Sequence, residues 1–230
     1  SRGASGFLKK PFNVNDLEET LRRLAGAAAR EFVVLKDHEK SMAKKPLIDE
    51  AAQEGVEAGG IPAAVRHAFV ESAVESLGQY MVNARPNLEI DPQSVTAELV
   101  SSIEISDPKM GVKLNVVLGF PKAIACTIYE TLFGEVDLEM VAGVVGELGN
   151  ILAGSVKPKL AGCAGDLYPL AHPDKELPEA GSELALTLGF PQSEWNPQEH
   201  PAQLNGAPGF TVPFALDDGQ IILKVEVHPA

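Results

Sequence analysis

The most informative stretch of this chain is Gly143-Val-Val-Gly-Glu-Leu-Gly-Asn-Ile-Leu-Ala-Gly-Ser155. Within it, Glu147 and Asn150 are three residues apart, so a helix places both side chains on one face. A carboxylate can pair with a lysine, and a carboxamide can both donate to and accept from a water. Because about one such pair is expected by chance in a chain of this composition, the spacing alone identifies nothing.

Glycines recur through the same predicted helix, at Gly143, Gly146, Gly149 and Gly154. Each costs on the order of 1 kcal/mol relative to alanine in a helix interior, so their presence needs a reason. One explanation is close packing of the helix on a sheet. The other is a bare surface that lets the backbone of a partner approach, and the spacing leaves both open.

The patterns around this stretch predict both helices and strands. A helix is predicted over 62–83, where Val65, Phe69, Ala73 and Leu77 form one apolar stripe. Further helices are predicted over 121–133 and 137–160, and strands over 94–105, 111–119, 183–190, 209–216 and 220–227. Tight turns are predicted at 107–111 and 217–219, and a long proline-rich loop at 191–208.

Residues 146–160 resemble the signature helix of the CheC/CheX/FliY phosphatases, and a weaker similarity extends over 62–228. In the CheC branch the Glu-x-x-Asn helix occurs twice, whereas the opening helix here offers only Glu71 with Val74 and Glu75 with Gly78 at that spacing. The single copy favours CheX. The resemblance implies an α+β fold with an antiparallel sheet packed against long helices. Pro158 departs from the pattern, because a proline should end or kink the helix two turns after Asn150.

The resemblance also implies an activity, the dephosphorylation of phospho-aspartate in CheY-type receiver domains. Asn150 would align an in-line water and Glu147 would pair with the receiver's lysine, while Gly146, Gly149 and Gly154 would let the partner dock. Mg²⁺ is expected on the partner receiver and no cofactor on this chain. A homodimer is implied as well. The alternative is an inactive binding or output module, in which the same residues only contact a receiver or support dimerisation.

The first 36 residues resemble the last strand and last helix of a receiver domain. Lys10 precedes Pro11 as the phosphoryl-contacting lysine does in that family. The phosphorylated aspartate and the acidic pair that binds metal are missing, so residues 1–36 are interpreted as the tail of a receiver, with an ordinary strand–helix leader as the alternative. Residues 37–61 are predicted to be a linker and 62–230 the phosphatase domain. A whole receiver upstream would allow action in cis; otherwise the receiver is bound in trans.

Composition excludes several classes of function. The net charge of −13 argues against nucleic-acid binding, although residues 1–36 alone carry a net +3. No apolar run is long enough for a membrane span, and no secretory signal pattern opens the sequence. Cys126 and Cys163 lack the spacing of a metal site, and the histidines are scattered, so we expect a cytoplasmic protein with reduced cysteines and no metal of its own.

Overall fold

The computed structural model of the protein describes residues 60–176 and 181–230. Within these ranges the helices are α1 (Ala63–Gln79), α2 (Lys122–Phe133), α3 (Leu138–Leu160) and α4 (Ala164–Ala171). The strands are β1 (Arg85–Pro86), β2 (Leu99–Asp107), β3 (Val112–Phe120), β4 (Thr187–Leu188), β5 (Gln192–Trp195), β6 (Gly209–Leu216) and β7 (Gly219–Pro229). The predicted receiver-like segment 1–36 with Lys10, and almost all of the predicted linker 37–61, lie outside the described residues.

The seven strands form one antiparallel sheet in the order β1-β6-β7-β3-β2-β4, and β5 also pairs with β2. Along β2 the residues alternate between buried and more exposed, as expected for a strand that has a core on one face. Helices α1 and α3 pack against each other over this core, and α3 lies on β2 and β5. The fold is therefore α+β with an antiparallel sheet packed against long helices, as the sequence predicts.

The apolar stripe of α1 is buried as predicted. Val65, Phe69 and Ala73 have no exposed area, and Leu77 keeps 1%. The ring of Phe69 meets that of Phe210 on β6 edge to face, with centroids 6.0 Å apart. The helix ends at residue 79 rather than 83 because the backbone turns at Met81, which has a φ of +59°.

Both predicted turns are confirmed. In the β2–β3 hairpin the side chain of Asp107 accepts hydrogen bonds from the backbone N–H groups of Lys109 and Met110, at 2.9 and 3.1 Å. Gly111 completes this turn with a φ of +63°, which glycine adopts readily. In the β6–β7 hairpin, Leu216 pairs with Gly219, so only residues 217 and 218 form the loop.

Three parts of the prediction are wrong. Helix α4 is missing from it; this helix forms although Pro169 lies inside it, and it buries Leu167 and Tyr168 against the sheet. The predicted strand 183–190 is reduced to the two residues of β4. The predicted loop 191–208 contains β5, which gains its hydrogen bonds only by pairing with β2 and whose Trp195 packs on the core of its own domain.

Candidate functional site

Helix α3 carries the predicted site. At its start, the Asp137 side chain accepts a 3.0 Å hydrogen bond from the backbone N–H of Glu139. Toward its end, Pro158 lies inside the helix and does not end it, since α3 continues to Leu160, the end that the sequence predicts. The carbonyl that loses its helical donor belongs to Gly154, which is exposed, so water can bond to it.

The inward face of α3 fixes its position on the sheet. This face is a continuous apolar stripe, and its buried members are Val141, Val145, Leu148, Leu152, Ala153, Val156 and Leu160. Burying an aliphatic side chain of this kind contributes about 1.5–3 kcal/mol. The opposite face of the same helix is therefore turned toward solvent.

Glu147 and Asn150 stand on this outer face. Glu147 is exposed and Asn150 is half-buried. The Asn150 Nδ2 atom donates to Glu147 Oε2 across 3.4 Å, a long contact that costs little to exchange for another partner. The carboxamide oxygen and the rest of the carboxylate remain available for a water or a cation on a second protein.

The residue that follows α1 borders the site. Tyr80 follows the last turn of α1, is half-buried and packs on the core. Burial raises the pKa of its hydroxyl, and the nearby Glu147 carboxylate raises this pKa further. The phenol therefore stays protonated at neutral pH and is placed to act as a neutral neighbour of the carboxylate.

Polar contacts fix the register between α1 and α3. Lys159 Nζ lies 2.8 Å from Glu71 Oε2 and 3.0 Å from Glu75 Oε2. Next to this cluster, Ser155 Oγ lies 3.2 Å from Glu75 Oε2, to which its hydroxyl can donate, and 3.3 Å from Ser72 Oγ, whose hydroxyl can donate to Ser155.

The two helices run antiparallel. Tyr80 follows Ser72 by eight residues and Glu147 precedes Ser155 by eight, so both lie about 12 Å from the serine contact in the same direction. The ion pairs of Lys159 lie at one end of the contact between α1 and α3. By fixing the register of the two helices, they place Tyr80 near Glu147 at the other end.

The glycines of α3 divide into two groups, and this division corrects the docking prediction. A Cβ on Gly149 would lie 2.7 Å from Ser101 Oγ, and one on Gly146 would lie 3.0 Å from Ser193 Oγ. Both are buried against the sheet of their own domain, so close packing explains them. Gly143 and Gly154 are exposed with no atom within 4 Å of the added Cβ, and Gly154 remains a docking prediction.

Other groups add no second centre to the part of the chain that the structure describes. Within residues 60–176 and 181–230, no three His, Cys, Asp or Glu side chains converge as they would around a metal ion. None of the helices in these ranges has the length and apolarity needed to cross a bilayer. Cys126 and Cys163 are free and half-buried.

Sequence reasoning missed two features. One is Tyr80, and the other is the pair of salt bridges from Lys159 to Glu71 and Glu75, which we call the clamp. Tyr80 is 67 residues from Glu147, and no local pattern joins them. For Lys159 a signal exists in hindsight, because Glu71 and Glu75 form an i, i+4 acidic pair on α1 that needs a cation.

Comparison with known proteins identifies the fold. No protein-family model matches the sequence, and no curated protein matches it. Among solved structures, the chain is similar to the chemotaxis protein CheX from Vibrio vulnificus, with 16% identity and a TM-score of 0.52 over 70% of this chain and 97% of that one. It is also similar to CheX from Desulfovibrio desulfuricans, with 12% identity and a TM-score of 0.53 over 71% of this chain and 99% of that one.

A CheC-like superfamily protein from Shewanella sp. PV-4 gives 18% identity and a TM-score of 0.50, over 72% of this chain and 97% of that one. At such identities the similarity establishes the fold. The described part of the chain therefore has a CheC/CheX-like fold, as the residues around Glu147 indicate.

Proposed function

We propose that the chain is a protein phosphatase that hydrolyses the aspartyl phosphate of CheY-type receiver domains. The observation that carries this proposal is the outer face of α3, where Glu147 and Asn150 lie side by side while the inward face of the same helix is buried on the sheet. The CheX-like fold supports it, because the similar structures from Vibrio vulnificus and Desulfovibrio desulfuricans are described as chemotaxis proteins.

Asn150 has the chemistry to position the attacking water. Its carboxamide oxygen can accept a hydrogen bond from the water while its N–H₂ group donates to a phosphoryl oxygen. The water oxygen forms a bond to phosphorus as the bond between phosphorus and the aspartate oxygen breaks. The aspartate leaves as a carboxylate; one proton of the water stays on its oxygen and the other passes to a phosphoryl oxygen, so that H₂PO₄⁻ is released. Orientation of this kind is where most of the catalysis in phosphoryl transfer arises.

Glu147 has the chemistry to hold the two proteins in register. Its carboxylate is exposed, and its contact with Asn150 at 3.4 Å is weak enough to be replaced by a lysine of the receiver. An exposed ion pair contributes little, but the same pair enclosed in an interface contributes more. Mg²⁺ is expected on the receiver, so the reaction requires no metal from this chain.

The test is the dephosphorylation rate of radiolabelled phospho-receivers with Mg²⁺, using the full chain. We expect Asn150→Ala and Asn150→Asp to reduce the rate at least about 100-fold, because a displaced or wrongly oriented water loses the in-line geometry. We expect Glu147→Ala to raise KM and lower the rate. The control is Glu183→Ala, an exposed glutamate beyond the C-terminal end of α3, which should leave the rate unchanged.

The substrate panel should include CheY-like receivers from the same organism and a receiver joined upstream of this chain, which tests action in cis. A rate equal to self-hydrolysis across that panel rejects the phosphatase and leaves the inactive binding or output module. The homodimer stays a prediction, and sedimentation equilibrium on the full chain would test it.

A further inference from the structure

The corner between α2 and α3, residues 130–140, is exposed at every position. Its sequence is Glu-Thr-Leu-Phe-Gly-Glu-Val-Asp-Leu-Glu-Met. Five large apolar side chains are exposed within it, namely Leu132, Phe133, Val136, Leu138 and Met140. Phe133 keeps 60% and Met140 57% of its area exposed, which is unusual for residues that belong to helices with a buried face.

The packing of α2 and α3 does not account for these side chains. The last buried residue of α2 is Tyr129, and the first buried residue of α3 is Val141. Everything between them projects beyond the core. Phe133 reaches the edge of this core through a ring contact with Tyr129, with the ring centroids 4.6 Å apart.

The charge of the corner restricts what can cover it. Glu130, Glu135, Asp137 and Glu139 give it a formal charge of −4, and residues 130–140 contain no lysine or arginine. A second copy of the corner would bring −4 against −4, and an anionic lipid surface would be repelled in the same way. The surface complementary to the corner is apolar with lysine or arginine around it.

The corner continues into the proposed catalytic face. Met140 precedes Glu147 by seven residues, which is two helical turns, so both lie on the same side of α3 about 10 Å apart. Between them lies Gly143, which has no atom within 4 Å of an added Cβ. Gly143 therefore places no side chain between the corner and Glu147, and one globular partner is large enough to contact both.

We propose that the corner 130–140 is the docking surface for the receiver, and that it binds an apolar patch flanked by basic residues beside the receiver's phosphorylation pocket. This inference rests on the proposed function, which supplies the partner. Binding then depends on the corner and turnover on Glu147 and Asn150, so the two can be separated by substitution.

The experiment measures Kd by calorimetry for the full chain and a CheY-type receiver loaded with Mg²⁺ and beryllium fluoride, together with kcat and KM on the phosphorylated receiver. The charge variant is Glu130→Lys with Glu135→Lys, neither of which caps a helix with its side chain. Its matched control is Glu89→Lys with Glu183→Lys, two exposed glutamates away from the corner. The apolar variant is Phe133→Ser with Met140→Ser.

We expect both corner variants to weaken Kd and raise KM by about tenfold or more, since like charges and lost apolar area both disfavour the complex. The kcat should remain within about twofold of wild type, because the water-positioning residues are untouched. The matched control should bind as wild type does, and added salt should weaken wild-type binding more than that of the charge variant. Thermal unfolding checks that each variant folds.

Two results would overturn the docking surface. One is wild-type Kd and KM in both corner variants while Asn150→Ala still abolishes turnover, which leaves the phosphatase standing. The other is a change in self-association of the corner variants without a change in receiver binding, which would assign the corner to a second copy. Conversely, corner-dependent binding without any acceleration of hydrolysis supports docking and rejects the phosphatase.

Discussion

The two faces of α3 use the same residue type for opposite purposes. On the inward face, Gly149 lets the helix backbone approach β2 so closely that an added Cβ would lie 2.7 Å from Ser101 Oγ. On the outer face, a Cβ added at Gly143 or Gly154 would meet no neighbour within 4 Å, and Glu147 is exposed between these two glycines. Glycine inside a helix therefore has no single meaning, and the face on which it lies decides whether it serves packing or access.

A substitution at Gly149 should give the largest difference between the two faces of α3. We expect Gly149→Ala to destabilise the fold by about 1–3 kcal/mol, because the new methyl group overlaps a hydroxyl that is buried beneath it. Urea unfolding measures this difference. The double variant with Ser101→Ala should recover most of the loss, since the next atom, Ser101 Cβ, would lie 3.7 Å away, an ordinary contact.

Ser101→Ala alone is the matched control. Its hydroxyl is buried and has no hydrogen-bond partner among the described residues, so its removal should be neutral or slightly stabilising. If Gly149→Ala proves as stable as wild type, the helix can move away from the sheet and the packing explanation fails.

On the outer face we expect a glycine-to-alanine substitution to raise the stability of the fold rather than lower it. Gly154→Ala should stabilise the fold by up to about 1 kcal/mol, because an exposed glycine in a helix costs conformational entropy and the methyl group meets no neighbour. Urea midpoints of Gly154→Ala and Gly143→Ala, measured beside those of Gly149→Ala, give the contrast directly. A loss of stability in both outer variants would remove the distinction between the two faces.

The same variants sharpen the functional question. If Gly154 admits the partner's backbone, Gly154→Ala should raise KM for the phospho-receiver while the protein becomes more stable. A gain in stability with unchanged KM would leave Gly154 as an exposed glycine without a docking role.

The sequence predicts the fold well wherever local chemistry is sufficient. The stripe of α1, the start of α3 near residue 137 and the turns at 107–111 and 217–219 depend on neighbours within a few residues, and all are confirmed. Strand β5 depends on β2, nearly a hundred residues away, and α4 forms despite Pro169 because of its burial. These long-range contacts carry no signal in a local pattern.

The candidate site divides in the same way. A helix spacing rule is enough to put Glu147 and Asn150 on one face, which is their arrangement in the structure. The roles of Gly146 and Gly149 depend on what lies opposite them, and only the fold shows that Ser193 and Ser101 do.

A smaller effect is expected at the clamp that connects α1 to α3. Lys159→Met should cost about 0.5–1 kcal/mol at neutral pH, because the ion pairs with Glu71 and Glu75 are partly exposed. Burial alone would lower the pKa of Lys159, but its hydrogen bonds to Glu71 and Glu75 outweigh burial and raise that pKa.

Because the pKa of Lys159 is raised in the folded state, the stabilisation by its ion pairs depends on pH in a definite direction. The stabilisation is fully present below the unfolded-state pKa of about 10.4 and is lost as pH rises through the folded-state value. Wild type and Lys159→Met should therefore differ in urea midpoint at pH 7 and converge only as pH rises through the raised folded-state pKa of Lys159. A difference that persists unchanged at alkaline pH would mean that Lys159 acts through packing of its methylene stem, and the clamp would not be electrostatic.

The smallest effect is expected at Tyr80, where α1 meets the outer face. Tyr80→Phe keeps the packed ring and removes only the hydroxyl, so we expect the free energy of unfolding at pH 7 to change by less than about 0.5 kcal/mol.

Burial and the Glu147 carboxylate raise the Tyr80 pKa, so the folded state holds the phenol proton to higher pH than the unfolded state does. Stability associated with that proton is present below about pH 10 and is lost as pH rises further. Urea unfolding should therefore show Tyr80→Phe becoming the more stable protein above pH 10, whereas identical pH profiles would mean that the hydroxyl does not sense Glu147. The double variant with Glu147→Gln separates the causes, because removing the carboxylate should shrink the alkaline difference while leaving the part that burial produces.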